Sequence, residues 1–125
     1  MFDDQLSDQV IGCAMKVHNA LENGFQEVIY QRGLAIRIGS VRYSIRSGNG
    51  TTYLLDGIAI GLRRADFIIE KKLVVEINAV IKLEDVHLNQ AKNYTVAYNF
   101  PFGLLINFGS NSLEYKRIFN NRKKV

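Results

Sequence analysis

The stretch ADFIIEKKLVVEINAV, Ala65 to Val80, decides how this chain is read. Two runs rich in β-branched and apolar residues, 65–69 and 73–78, flank Glu70-Lys71-Lys72, and the pattern reads as two strands joined by a tight connection. The length of that connection matters more than any residue in it. If Glu70, Lys71 and Lys72 form a three-residue loop, Ile69 faces Leu73 and Asp66 lies directly opposite Glu76. Opposed residues share a face, with Cβ atoms about 5 Å apart. One face then carries Asp66, Ile68, Val74, Glu76 and Asn78, and the other Phe67, Ile69, Leu73, Val75 and Ile77. A two-residue Lys71-Lys72 turn instead sends the two acids to opposite faces, because side chains alternate with period two. The sequence alone leaves that register open.

Downstream, residues 85 to about 98 read as a helix, with Pro101 at a distance typical of a helix stop. PFGLLINF, Pro101 to Phe108, is a continuous apolar run, the pattern of a strand near 103–108 buried on both faces. SLEYKRIF pairs back onto it through Gly109-Ser110-Asn111. Strand 73–78, helix 85–98 and strand 103–108 thus form a βαβ unit, which should be parallel and right-handed. Upstream, SGNG at 47–50 and Asp56-Gly57 are hairpin signals. They delimit strands near 41–46, 51–55 and 58–62. Further upstream, Val10, Ala14, Val17 and Leu21 recur at the spacing of one buried helix stripe. Ser7 or Asp8 can cap its start and Asn23-Gly24 can end it. A second helix is expected over 25–38, with Gly39 as its stop. The order is ααβββββαββ: one α/β domain over 1–125, a mixed β-sheet flanked by helices, with 119–125 as a flexible basic tail.

Bulk properties exclude several classes. A chain of 125 residues with 47% hydrophobic and 22% charged residues can bury a core and is not disordered. The net charge of +4 is compatible with a polyanionic partner without requiring one. A single cysteine, Cys13, cannot form an internal disulfide, which suits a reducing cytoplasm. No apolar run approaches the roughly 20 residues that span a bilayer, and the acidic start MFDDQLSD lacks a signal-peptide pattern. No membrane partner is expected, and a homodimer is neither required nor excluded.

Chemistry concentrates at the proposed hairpin. Two carboxylates opposed among apolar neighbours repel each other, and little water is left to screen them. Such a pair needs a cation, or one acid must take a proton. A hard divalent ion, Mg²⁺ or Mn²⁺, is the economical answer. On helix 85–98, His87, Gln90 and Tyr94 form one polar stripe, and the helix follows Glu76 closely enough to lie over the sheet edge where α/β sites collect. Glu27 and Tyr30, at the start of the second helix, form a further acid-plus-aromatic pair. Each feature has a structural alternative: solvated acids, His87 or Gln90 bonded to backbone, and tyrosines that are core with a polar tip.

Taken together, these residues resemble the GxxExxY family, small proteins of the PD-(D/E)XK nuclease superfamily. The name motif stands as GFQEVIY, Gly24 to Tyr30, and VIGCAMKVHNAL resembles the family's first helix with its Val17-His18 pair. RRADFII, LVVEINAVIKL, VHLNQAKNY and FGLLINFGSNSLEYKRI follow in the family's order and spacing. The resemblance covers nearly the whole chain and is weakest at 39–53. It implies a restriction-endonuclease-like core whose acids bind Mg²⁺ or Mn²⁺ and hydrolyse a phosphodiester, with DNA favoured over RNA as the partner. Carried over residue by residue, Asp66 and Glu76 would be metal carboxylates and the Ile77 carbonyl a further oxygen ligand. Glu27 would be an additional acid, and Gln90 the helix glutamine that helps orient the site. His18 is read as structural.

One position departs from the family. Its E-x-K triplet reads Glu76-Ile77-Asn78 here, and asparagine can donate a hydrogen bond to the attacking water but brings no charge. Losing one preorganised electrostatic donor costs on the order of 10²–10³ in rate. Lys82 is the nearest substitute in sequence, although the family tends to carry a lysine there as well. Arg63 or Arg64 could reach a substrate phosphate, and Arg42, Arg46 and the tail could add to a nucleic-acid surface. Two readings therefore stand side by side: a weakened metal-dependent nuclease, and an inactive nuclease fold that grips nucleic acid or a protein.

Overall fold

The computed structural model describes residues 4–46, 51–63 and 65–120. Helices α1 (Asp4–Leu21) and α2 (Glu27–Ser40) precede strands β1 (Ile45–Arg46), β2 (Thr51–Leu55), β3 (Ile58–Arg63), β4 (Phe67–Ile69) and β5 (Leu73–Asn78). Helix α3 (Asp85–Ala97) then leads to β6 (Phe102–Asn107) and β7 (Glu114–Phe119). The element order is the expected one.

Ile69 pairs with Leu73 and Phe67 with Val75, so the β4–β5 connection has three residues and the two acids share a side. This connection is strained. Glu70 and Lys71 sit at φ +53° and +54°, a region that costs a non-glycine residue about 1–2 kcal/mol. The ladders hold it: Lys72 N–H donates to the Ile69 carbonyl at 3.1 Å and Glu70 N–H to the Ser44 carbonyl at 2.9 Å.

The main sheet has the order β1-β4-β5-β6-β7. Only β5 and β6 run parallel, joined through α3, while the other neighbours are antiparallel. Helices α1 and α2 cover one face, where Phe67, Ile69, Leu73, Val75 and Ile77 join Leu104, Ile106 and Phe108 in the larger core. Helix α3 covers the other face, with Tyr94 against Ala65 and Val74, and Ala91 against Leu105 and Ile118. Strand β6 is buried along its whole length, as its unbroken apolar run requires.

Three local expectations are corrected. The strand expected at 41–46 shortens to Ile45–Arg46. Strands β2 and β3 form a separate two-stranded sheet instead of joining the main one. Neither Ser7 nor Asp8 starts α1: the helix begins a turn earlier, Ser7 is buried, and Asp8 accepts a hydrogen bond from Arg117. Gly33, inside α2, has a packing reason. A Cβ there would lie 3.2 Å from Val17 Cγ1 and 3.9 Å from Leu21 Cδ1, so the absent side chain lets α1 and α2 approach closely.

Candidate functional site

Asp66 stands one residue before the β4 ladder, where its backbone is no longer committed to strand pairing. Its N–H donates to Glu76 Oε1 at 3.0 Å, and its Oδ2 accepts the Ile77 N–H at 2.8 Å. Each acid thereby meets the backbone of the other strand. The N–H and C=O of one strand residue project to the same edge, so the Ile77 carbonyl also looks toward Asp66. The next carbonyl, that of Asn78, faces β6 and accepts the Phe108 N–H at 2.9 Å.

The electrostatics are those of acids held together against their preference. Burial pushes the Asp66 carboxyl above its ordinary value, an effect that the Ile77 amide only partly offsets. Glu27, largely exposed as a residue, has its carboxyl pushed up by the surrounding protein and then by the charge of Asp66. Helix α2 brings Glu27 there for a legible reason. Gly24 takes φ +109° to end the turn after α1, a conformation open to glycine. Tyr30 then clamps that turn. Its hydroxyl donates to the Glu22 carbonyl at 2.5 Å and accepts the Phe25 N–H at 3.2 Å, while its buried ring stacks on Phe108 at 4.8 Å. The glycine and tyrosine of GFQEVIY aim the first turn of α2, and the glutamate is what they aim.

Gln31 was not singled out in the sequence. Its Nε2 reaches Asp66 Oδ1 at 3.5 Å, the limit of a hydrogen bond. The signal was available: it stands four residues after Glu27, one turn along the same helix face.

The remaining candidates scatter. Gln90 is exposed on α3 and hydrogen-bonds to neither acid. Tyr94, one turn later, packs over Val74. Asn78 ends β5 half-buried, on the side of Glu76 by strand alternation. Lys82 is exposed, and its charge acts on Glu114 of β7, two strands from β5 in the sheet. Lys71 and Lys72 lie exposed in the turn at the opposite end of the hairpin. Arg64 lies outside the described residues, as do 121–125 of the tail, and of Arg63 only the backbone is described. His87 takes the structural role: its Nδ1 accepts the Glu84 N–H at 2.9 Å and closes the first turn of α3. His18 is buried with Nε2 3.0 Å from the Ser110 carbonyl.

A second polar group occupies the same sheet edge. Asn107 is fully buried, and its amide donates to the Val80 carbonyl and to Glu114 Oε1, each at 2.9 Å. Its Oδ1 accepts N–H groups from Val80 at 2.9 Å and Gly109 at 3.0 Å. Glu114 Oε1 also accepts the Leu83 N–H at 3.0 Å. The Asn107 amide first, with Leu83, Ser110 and Lys82 adding to it, holds the Glu114 carboxyl below its ordinary value.

Among the described residues, no three His, Cys, Asp or Glu side chains gather into a ready-made metal cage. The donors that do converge are the Asp66 and Glu76 carboxylates and the backbone of Ile77, with Glu27 close enough for its charge to matter. No curated protein and no solved structure matches the chain. A family model does, over residues 4–118, from the first turn of α1 into the last strand of the sheet. That span takes in the opposed acids, the helix that brings Glu27 and the βαβ crossover, and with it the chain belongs to the PD-(D/E)XK nuclease superfamily.

Proposed function

We propose that this protein is a Mg²⁺- or Mn²⁺-dependent phosphodiester hydrolase of the GxxExxY kind, acting on nucleic acid and slowed by Asn78. The observation that carries the reading is the opposed pair Asp66 and Glu76, with Glu76 accepting the Asp66 N–H at 3.0 Å and Asp66 accepting the Ile77 N–H at 2.8 Å, and with Asp66 and Glu27 both pushed up. The donors are hard oxygens on a partly buried edge, the chemistry that suits a small divalent cation. Asp66, Glu76 and the Ile77 carbonyl would hold the ion, with Glu27 as an outer acid. When bound, the ion would lower the pKa of a water and polarise the phosphate.

The chain's own groups supply the rest. Gln31 steadies Asp66 from α2. Gln90, exposed on α3 one turn before Tyr94, is the candidate to donate to a water or a phosphate oxygen. Asn78 donates a hydrogen bond at the motif lysine's position without stabilising the charge that develops in the transition state. Arg63, Arg64 and Lys82 are candidates for backbone phosphates, and DNA is the favoured substrate over RNA.

The experiment is a calorimetric titration of Mn²⁺ into the full chain and its Asp66→Asn and Glu76→Gln variants, with cleavage assays on duplex and single-stranded DNA. Binding in the wild type that is lost in both variants, with slow cleavage lost in Glu76→Gln, is the expected result. A wild type that binds neither Mn²⁺ nor Mg²⁺ overturns the proposal. Asn78 itself favours a second reading, a nuclease fold that binds nucleic acid without turnover. Metal binding with no cleavage by either the wild type or Asn78→Lys would support that reading instead.

A further inference from the structure

The turn that launches α2 carries an aromatic side chain of which the fold uses only half. Phe25 stands just before Gln26, the N-cap of α2, and meets Tyr30 edge-on, with ring centroids 6.1 Å apart at 83°. That contact is a hydrophobic staple, which fixes the angle at which a chain enters a helix. A leucine would serve it as well, yet the residue is a phenylalanine and 48% exposed. The ring is held in place from behind. Phe25 N–H donates to the Tyr30 hydroxyl at 3.2 Å, and the buried Tyr30 ring stacks on Phe108 at 4.8 Å. Phe108 N–H donates to the Asn78 carbonyl at 2.9 Å, so this run of rings ends against the last residue of the acid-bearing strand β5. Phe25 is also two residues before Glu27, whose carboxyl feels the charge of Asp66.

We propose, resting on the nucleic-acid reading of this edge, that Phe25 is a stacking platform for an unpaired nucleobase next to the scissile phosphate, so that single-stranded DNA is bound in preference to a blunt duplex. Every base has a π face, and an exposed ring beside a phosphate site binds that face whatever the sequence. A paired base keeps its faces inside the duplex and must first be unstacked, at a cost comparable to the gain. A base that is already unpaired escapes that cost. The neighbours of Phe25 suit the edge of a base as the ring suits its face. Asn23, on the same turn, lines a cavity of about 300 Å³ with His18, Asn19, Glu22 and Asn111. Asn23 Nδ2 donates to Asn111 Oδ1 at 3.1 Å, which leaves the Asn111 amide to donate and the Asn23 oxygen to accept. A ring beside amide donors and acceptors matches a base, stacked on its face and hydrogen-bonded at its edge. An apolar protein surface seated there would leave those amides without partners, a costly arrangement.

The test is equilibrium binding of the full chain to a short single-stranded DNA carrying 2-aminopurine, read by fluorescence with Ca²⁺ present to hold off cleavage, beside Mn²⁺ calorimetry. The wild type should quench the probe on binding. Phe25→Leu, which keeps the staple, should weaken binding about tenfold, and Phe25→Trp, which keeps a ring face, should retain it. Mn²⁺ affinity should be equal in all three, and a blunt duplex should bind the wild type more weakly and lose little in Phe25→Leu. A 5-iodouracil in the same oligonucleotide should crosslink the wild type at Phe25 on irradiation, a readout that needs no variant. A wild type that binds no single-stranded DNA overturns the assignment. Equal binding by the wild type and Phe25→Leu, or a crosslink confined to other parts of the chain, also overturns it, and intact Mn²⁺ binding would then leave the metal site standing. Stacking at Phe25 in a chain that binds neither Mn²⁺ nor Mg²⁺ supports the assignment and overturns the hydrolase reading instead.

Discussion

Two corners of one sheet edge hold similar residues and behave in opposite ways. At the first, Asp66 and Glu76 face each other across the β4–β5 hairpin, and the carboxyls of Asp66 and of nearby Glu27 are pushed up. At the second, Asn107 and Glu114 face each other across β6 and β7, and the Glu114 carboxyl is held down. The difference is the partner. Glu114 meets an amide donor whose remaining bonds hold Val80 and Gly109, and a second donor in the Leu83 N–H, so its charge is answered within the protein. Asp66 and Glu27 act on each other through charge, and among the described residues Asp66 meets one backbone N–H and one distant glutamine amide. An acid among donors is architecture. Acids raised by burial and by each other's charge are perturbed groups of the kind that collect at functional sites.

The largest effect expected from changing that contrast concerns rate. Asn78→Lys adds a positive charge at the first corner and should raise metal-dependent cleavage on the order of 10²–10³-fold, read as single-turnover kinetics on a labelled duplex. An unchanged rate would mean that position 78 does not face the reacting phosphate. Next in size is a stability effect confined to the second corner. Asn107→Ala removes four hydrogen bonds from a buried hub and should cost about 2–4 kcal/mol in urea unfolding. Metal affinity per folded molecule should change little.

The third effect is a pair of pH slopes of opposite sign. Asp66 has a raised folded-state pKa, so the folded chain binds more protons than the unfolded one between the ordinary carboxylate value and that raised value. Without metal, its contribution to stability falls as pH rises through that window. Glu114 is lowered, so its contribution is lost as pH falls from the ordinary value through its depressed one. Asp66→Asn should therefore stabilise the metal-free protein at neutral pH, and Glu114→Gln should destabilise it, by chemical denaturation at stepped pH. Metal binding should strengthen as pH rises through the Asp66 and Glu27 windows, by up to about tenfold per unit for each proton released. Smallest is Gln31→Ala. Its bond to Asp66 is long at 3.5 Å, and its loss should weaken Mn²⁺ binding a few-fold, less than about 1 kcal/mol, with the fold intact.

Much of this was legible before any coordinates. The element order, the buried β6 run and the parallel crossover followed from period-two and period-3.6 patterning, which are local consequences of backbone geometry. The second helix, expected over 25–38 with Gly39 as its stop, instead spans Glu27–Ser40 and runs through Gly39. What stayed hidden was non-local. Gln31 on α2 is 35 positions from Asp66 in sequence, and only the packing of that helix brings the two side chains together. Lys82 follows the acids closely in sequence, yet its charge makes a small contribution to holding down Glu114 on the last strand.

Sequence also named the alternatives at the hairpin without choosing between them. Three residues or two were both credible, because nothing in Glu70-Lys71-Lys72 favours left-handed backbone. The three-residue form places two non-glycine residues at positive φ, a local cost that no propensity would select. It exists because the ladders on either side, each burying apolar side chains against helices, repay the strain many times over. Residue types and their spacing thus declared which groups the chain offers at this edge. Only the tertiary packing, by choosing the register, decided that Asp66 and Glu76 would have to meet.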